Sequence, residues 1–138
     1  MARSKTCVDG PVILKAQLDP TETAPALGKG QPLRVTTWPA EKSTDVFLVK
    51  TCPDGEVPDF VVGNSAVSAG SPGDIVYVNY PGSPVLLGGA VAKRDPLVVK
   101  SGKFIKAAVK GDKYVTCAAI DGVAGDLIPS ASISDIIP

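Results

Sequence analysis

The sequence contains no histidine. Without an imidazole, the chain lacks the general base of Ser-His-Asp and Cys-His catalysis and a common side-chain metal ligand. Its three cysteines, Cys7, Cys52 and Cys117, stand far apart and form no CxxC pair, so neither a zinc site nor a disulfide framework is predicted. We expect buried or idle thiols in a reducing cytosol. We also expect no enzymatic activity, no cofactor and no metal ion.

Aromatic residues and net charge are also scarce. Aromatics make up 5% of the chain although hydrophobic residues make up 44%, so the core must consist mainly of Val, Ile, Leu and Ala, which suit strands. The formal net charge is zero, and no apolar run approaches the ~20 residues of a membrane span. No nucleic-acid or membrane partner is therefore predicted. The first residues precede too short an apolar run for a signal peptide, so we expect the protein to remain at first inside the cell that makes it.

Glycine and proline are abundant, with 14 and 13 residues, and they separate short apolar runs. Runs of this length with turns between them predict an all-β fold, a compact β-barrel or β-sandwich. The turn Lys100-Ser101-Gly102-Lys103 predicts a hairpin. At most one helical turn is expected, at 65–69 or 118–121. Predicted strands cover 46–49, 60–62, 75–80, 85–87, 97–99, 104–107, 114–117, 127–128 and 133–137.

A short phrase occurs twice along the chain. Small residues lead into Ala-Gly, then Gly-Asp, then an apolar run, at 63–78 and again at 117–128. The repetition indicates a weak internal duplication of two hairpin units, although two similar turns also arise by chance in a glycine-rich β-protein.

The first 44 residues differ from the remainder. Four prolines, Pro20, Pro25, Pro32 and Pro39, rule out a long helix there, and only 12–14 and 33–38 resemble short strands. We therefore predict two parts, an extended N-terminal arm at 1–44 and a β-barrel or β-sandwich core at 45–138. An extended arm can reach a neighbouring subunit by strand addition.

Several segments have both a structural and an interaction interpretation. Trp38 either packs over the junction of the arm or anchors the chain in a neighbouring subunit. The C-terminal isoleucines either belong to a last strand that closes the barrel or form a strand or apolar tail that is donated to a partner. The basic stretch 93–113 is either a solvated strand face or a surface that meets an acidic partner. The predicted interface with a partner or another subunit consists of Leu33, Val35, Trp38, Pro39, Lys93, Arg94, Ile133, Ile136 and Ile137.

Three acidic residues, Asp54, Glu56 and Asp59, lie beside the turn Pro53-Asp54-Gly55. Clustered carboxylates are suited to calcium, but their spacing does not match an EF-hand loop. Turn chemistry explains Asp54-Gly55 without an ion, and we favour that interpretation.

From Asp45 to about Ile133 the chain resembles the small capsid decoration, or cement, proteins of tailed bacteriophages. The resemblance lies in the order and spacing of Pro53-Asp54-Gly55, Gly73-Asp74-Ile75-Val76-Tyr77-Val78, Gly88-Gly89-Ala90-Val91, Asp95-Pro96-Leu97-Val98-Val99, Ser101-Gly102-Lys103, Ala107, Ala118-Ala119 and Ala124-Gly125-Asp126-Leu127-Ile128. It covers about two-thirds of the chain, and the first 44 residues lie outside it.

The resemblance implies a structural virion protein on the capsid exterior, made in the host cytoplasm. Such proteins bind the outer surface of the expanded shell, often as trimers, and stabilise contacts between major capsid subunits. The major capsid protein is thus the expected partner, and a homotrimer the expected assembly. The alternative is the base of a head fibre or a host-surface-binding module on the virion. An enzyme or carrier domain and a cellular β-module remain further alternatives.

Overall fold

The computed structural model describes residues 14–19, 27–38, 47–63, 75–80, 82 and 84–138, and within these ranges every regular element is a β-strand. The predicted all-β class is therefore confirmed. In the described part of the chain, no helix is long and apolar enough to cross a membrane. The strands are β1 Leu14–Leu18, β2 Pro32–Thr37, β3 Phe47–Thr51, β4 Phe60–Val62, β5 Ile75–Asn79, β6 Val85–Leu86, β7 Leu97–Lys100, β8 Lys103–Lys106, β9 Lys113–Ala118, β10 Leu127–Ile128 and β11 Ser130–Ile136.

The first five strands form a closed barrel in the order β1-β3-β2-β4-β5. β1 runs parallel to β3, and the other neighbouring pairs are antiparallel. Side chains alternate between the two faces of a strand, so Ala16 and Leu18 of β1 point inward with Val76 and Val78 of β5. Each large aliphatic side chain fully buried in this way contributes about 1.5–3 kcal/mol.

The barrel corrects the predicted division of the chain at residue 44. β1 and β2 lie before that residue, yet β3 hydrogen-bonds to both of them, so strands from either side of the predicted boundary share one sheet. In the described residues, Leu14–Leu18 and Pro32–Thr37 are barrel strands and not an extended arm. The reason is burial: Leu33 is fully enclosed, and Val35 packs against the same core.

The second half of the chain forms a ring around a second core. Within residues 84–138 the strands pair as three ribbons, β6 with β10, β7 with β8, and β9 with β11. Single bridges, Leu87 to Phe104 and Pro96 to Cys117, join neighbouring ribbons. Because β10 leads into β11 through Pro129, the ring returns to its starting point. The shared core contains Val85, Leu87, Val91, Leu97, Val99, Phe104, Ala118 and Ile128.

The barrel and the ring pack directly on each other. Cys52 and Val61 come from the barrel half but belong to the second core. Gly30 links the two backbones, because its N–H donates to the Val62 carbonyl at 2.9 Å while its own carbonyl accepts from the Leu86 N–H at 3.1 Å. The two halves therefore share packing and hydrogen bonds.

The hairpin predicted around Ser101-Gly102 is confirmed as β7–β8. Both turn residues have positive φ, 52° for Ser101 and 74° for Gly102, as a two-residue type I′ turn requires. The Ser101 N–H donates to Asp54 Oδ1 at 2.7 Å, which attaches the hairpin to the 52–56 turn. The helical turn considered at 118–121 does not form, since Ala118 ends β9; the one considered at 65–69 lies outside the described residues.

Candidate binding surface

The last strand, β11, carries exposed isoleucines. The predicted C-terminal strand forms, but it does not close the barrel: within the described ranges its hydrogen-bonded neighbour is β9, in a two-stranded ribbon. Ile133 and Ile136 nevertheless remain 51% and 50% exposed. A strand with one paired edge and apolar side chains in solvent is suited to contact with another protein.

One face of the β9–β11 ribbon forms a groove of about 390 Å³, which we call the basic groove. Small and apolar side chains form its floor, and Lys93 and Arg94 stand at its rim. The turn that carries these two cations is fixed to β9, because the Arg94 N–H donates to the Ala118 carbonyl at 2.7 Å. The groove is lined by Lys93, Arg94, Cys117, Ala118, Ala119, Ala131 and Ile133.

The charged side chains that line the basic groove, Lys93 and Arg94, are both positive. No acidic side chain of the described residues lines it. Two carboxylates of the 92–95 turn region bind backbone amides: Asp121 accepts from the Lys93 N–H at 2.7 Å, and Asp95 accepts from the Ala92 N–H at 2.8 Å. Asp95 also pairs with Lys106, whose Nζ lies 3.9 Å from Oδ1. Within the described residues, neither Lys93 nor Arg94 forms an ion pair. Burial, and then the Asp95 carboxylate, raise the pKa of the Cys117 thiol, which stays uncharged at neutral pH.

Arg94 has an unusual backbone conformation. Its φ is +76°, in the left-handed region that residues with a Cβ avoid at a cost of about 1–3 kcal/mol. The turn offsets that cost through the hydrogen bond from Arg94 to Ala118 and the one from the Asp95 N–H to the Ala92 carbonyl. A glycine or asparagine would adopt the same conformation with less strain.

A second groove of about 350 Å³ lies farther along the same ribbon. It carries both a cation, Lys113, and an anion, Asp135, so it has no preference for one sign of charge. Its lining consists of Val57, Lys113, Tyr114, Val115, Ser134, Asp135 and Ile136.

The predicted interface residues have different positions. Lys93, Arg94 and Ile133 come together in the basic groove, and Ile136 lines the second groove. Leu33 was an incorrect choice, because it is fully buried in the barrel and inaccessible to a partner.

The remaining predicted interface residues lie apart from both grooves. Val35 is partly buried against the barrel core. Trp38, 61% exposed, follows β2. Ile137 is partly buried, and its backbone bonds to Gly111 and Asp112. Pro39 lies outside the described residues.

Four residues that line the basic groove, Cys117, Ala118, Ala119 and Ala131, are missing from the predicted interface. Alanine carries no chemical signal for binding, and the sequence cannot show that several small side chains meet on one face. The only available signal is the strand alternation Ser130-Ala131-Ser132, which places Ala131 on one face between two serines.

The acidic residues beside the 53–55 turn bind protein groups. Arg34 contacts two of them, with Nη1 at 2.7 Å from Glu56 Oε1 and Nε at 3.2 Å from Asp59 Oδ2. Asp59 also accepts from the Val35 N–H at 2.9 Å. These contacts support the interpretation in which the acidic side chains stabilise the turn and its neighbours without a bound ion. The described residues contain no group of His, Cys, Asp and Glu suited to a metal ion.

Cys52 and Cys117 are buried free thiols, and Cys7 lies outside the described residues. Burial raises the pKa of Cys52 from 9.0 to about 12, an effect that Arg34 opposes only in part. The folded state therefore holds this proton more tightly than the unfolded state. Its contribution to stability is complete below pH ~9 and is lost as the pH rises towards ~12.

We expect the free energy of unfolding to fall more steeply between pH 9 and 12 in the wild type than in a Cys52→Ala variant. The extra slope should reach up to about 1.4 kcal/mol per pH unit, the value for one proton. Urea denaturation at a series of pH values measures it, and the comparison cancels other groups that titrate in this range. Parallel curves for the two proteins would contradict the assignment.

The fold of this chain is similar to that of a solved structure. No protein-family model matches the chain, and no curated protein matches it. Among solved structures, the N base of the head fibre protein gp8.5 of bacteriophage phi29 is similar, with a TM-score of 0.62 and 18% sequence identity. The match covers 92% of this chain and 98% of that chain. The two proteins share a fold over nearly their whole lengths.

Proposed function

We propose that this chain is a structural protein of a bacteriophage virion, attached to the outside of the head as the base of a head fibre. The observation that carries the proposal is the fold match to the head fibre base of phi29, which covers nearly all of both chains. A match of this extent includes both the barrel and the ring. The same match favours the fibre-base interpretation over shell stabilisation alone.

The surface of the molecule agrees with a role in attachment. Apolar side chains of the β9–β11 ribbon and the basic side chains of the adjacent 93–94 turn are exposed together. Many identical sites on a shell allow modest contact energies to act together if the protein is multivalent. We propose the major capsid protein as the partner, a homotrimer as the attached form, and no catalytic role.

Shell stabilisation is the second candidate. The order of turn and strand motifs from residue 45 onward resembles the capsid decoration proteins, which favours it. The two functions differ in a measurable effect on the head. We expect a protein that stabilises the shell to raise the temperature at which heads release DNA, and a fibre base to leave that temperature unchanged.

Co-sedimentation tests the proposal. The purified chain is mixed with expanded heads and with unexpanded precursor shells of the phage that encodes it, both prepared without this protein. We expect saturable binding to expanded heads at a fixed ratio to capsid subunits. Absence of binding by protein with an intact β-sheet circular dichroism spectrum would contradict the proposal.

The DNA-release temperature of the same bound heads separates the two candidates. Deletion of residues 1–44 is unsuitable as a binding control, because it removes barrel strands β1 and β2. Side-chain variants on the surface are therefore needed.

A further inference from the structure

We propose that the basic groove is where this chain holds the head, and that it binds an extended shell-protein segment with alternating apolar and acidic side chains. The proposal rests on the proposed function and adds the site and the chemistry of its occupant.

The shape of the groove indicates an apolar side chain as the central contact. Ala119 and Ala131 leave space above the ribbon, and Ile133 borders that space with half of its surface exposed. At about 390 Å³ the groove has room for one or two side chains of a peptide. Filling it would remove the exposed apolar surface of Ile133 from water, which favours binding.

The charge at the rim selects an acidic neighbour for that side chain. Lys93 and Arg94 lie side by side on a turn attached to β9, and in the described part of the chain both lack an ion-pair partner. Asp121 accepts a hydrogen bond from a backbone amide of the turn, and Asp95 accepts another and pairs with Lys106 of β8. A carboxylate from a partner supplies the missing counter-charge and fixes the orientation of the bound segment.

The backbone conformation of Arg94 is a second observation that supports binding at the rim of the groove. A residue with a long side chain occupies a left-handed position, with φ +76°, in which asparagine or glycine is less strained. Folding alone does not favour arginine there. Strain of this kind at an exposed cation is expected where the side chain serves binding.

Other occupants fit less well. The second groove contains both Lys113 and Asp135 and therefore does not select for acidic partners. A nucleic acid needs a longer row of cations and aromatic side chains for stacking, whereas the floor here is Cys117, three alanines and Ile133.

The first test uses two full-length double variants with the same change in charge. Lys93→Gln with Arg94→Asn removes the rim cations, and Lys100→Gln with Lys103→Gln removes two exposed cations outside the groove. On expanded heads we expect the groove variant to bind at least about tenfold more weakly and the control to bind within about twofold of wild type. Because asparagine tolerates the conformation of residue 94, the groove variant should unfold at no lower urea concentration than wild type.

The outcomes on heads separate the two proposals. Wild-type binding with an unaffected groove variant overturns the assignment of the groove and leaves the proposed function intact. Equal losses in both variants indicate a general charge effect and also overturn it. Failure of the wild type to bind contradicts the proposed function and the role of the groove in holding the head; the second test then decides only whether the groove binds apolar and acidic segments.

The second test needs no heads. The ¹⁵N-labelled full chain is titrated with the peptide Ac-Glu-Val-Glu-Val-Glu-NH₂, with its Lys-Val counterpart, and with single-stranded oligothymidine. We expect amide shifts at Ala119, Ala131 and Ile133 with the acidic peptide alone. No shifts at these residues, or equal shifts with the basic peptide or the oligonucleotide, would overturn the proposal.

Discussion

Replacing Phe104 with alanine should lower the free energy of unfolding by about 3–5 kcal/mol. Phe104 is 0% exposed and is the largest fully buried side chain in the described residues. It lies on β8 within the second core, and its carbonyl accepts from the Gly88 N–H at 2.8 Å. With so few aromatic residues in the chain, alanine there leaves a cavity that the surrounding valines and leucines cannot fill.

Urea denaturation measures the loss as a shift in midpoint at unchanged m value. Val109→Ala is the control, because Val109 is 66% exposed and its truncation should change stability by less than about 0.5 kcal/mol. If Phe104→Ala were as stable as the control, the second core would not be packed around this ring.

A Gly30→Ala variant should be destabilised by about 2–4 kcal/mol, the sum of backbone strain and overpacking. Gly30 has a φ of +84°, and an added Cβ would lie 2.7 Å from the Leu86 nitrogen and 3.0 Å from the Val85 carbonyl carbon. These are backbone atoms of β6, so the ring must move away from the barrel to make room. The hydrogen bond from Leu86 to Gly30 would weaken in the process.

Gly55→Ala is the matched control. Gly55 has a similar φ of +76°, but nothing lies within 4 Å of an added Cβ. We expect Gly55→Ala to lower the free energy of unfolding only by the cost of backbone strain, about 1 kcal/mol. Thermal or urea unfolding of both variants isolates the contribution of close packing between barrel and ring. Equal losses in the two variants would contradict that packing.

Most strands could be predicted from the sequence because each is a local pattern. Apolar runs such as 60–62 and 97–99 end at turns rich in glycine, proline and aspartate, and the hairpin at Ser101-Gly102 follows from its turn residues alone. β1 was harder to predict. Its sequence, Leu-Lys-Ala-Gln-Leu, alternates apolar and polar residues but consists of residue types that favour helices. Its parallel partner β3 lies about 30 residues farther along the chain.

The surface was only partly predictable for a related reason. Apolar side chains that alternate along a strand face either a core or a partner, and the pattern alone does not distinguish them. Leu33 was assigned to an interface but fills the barrel, whereas Ile133 was assigned to an interface and is half exposed. Lys93 and Arg94 were identified by charge, but their position above Ala119 and Ala131 depends on tertiary structure.

The central proposal is that this chain lies on the outside of a phage head, and cryo-electron microscopy of heads from the source phage tests it most directly. We expect discrete density at regular positions on the outer surface, into which the barrel and ring fit together. The density should be absent from heads that lack the protein and should return when the purified chain is added. Identical reconstructions with and without the protein, or density confined to the tail or the interior, would contradict the claim.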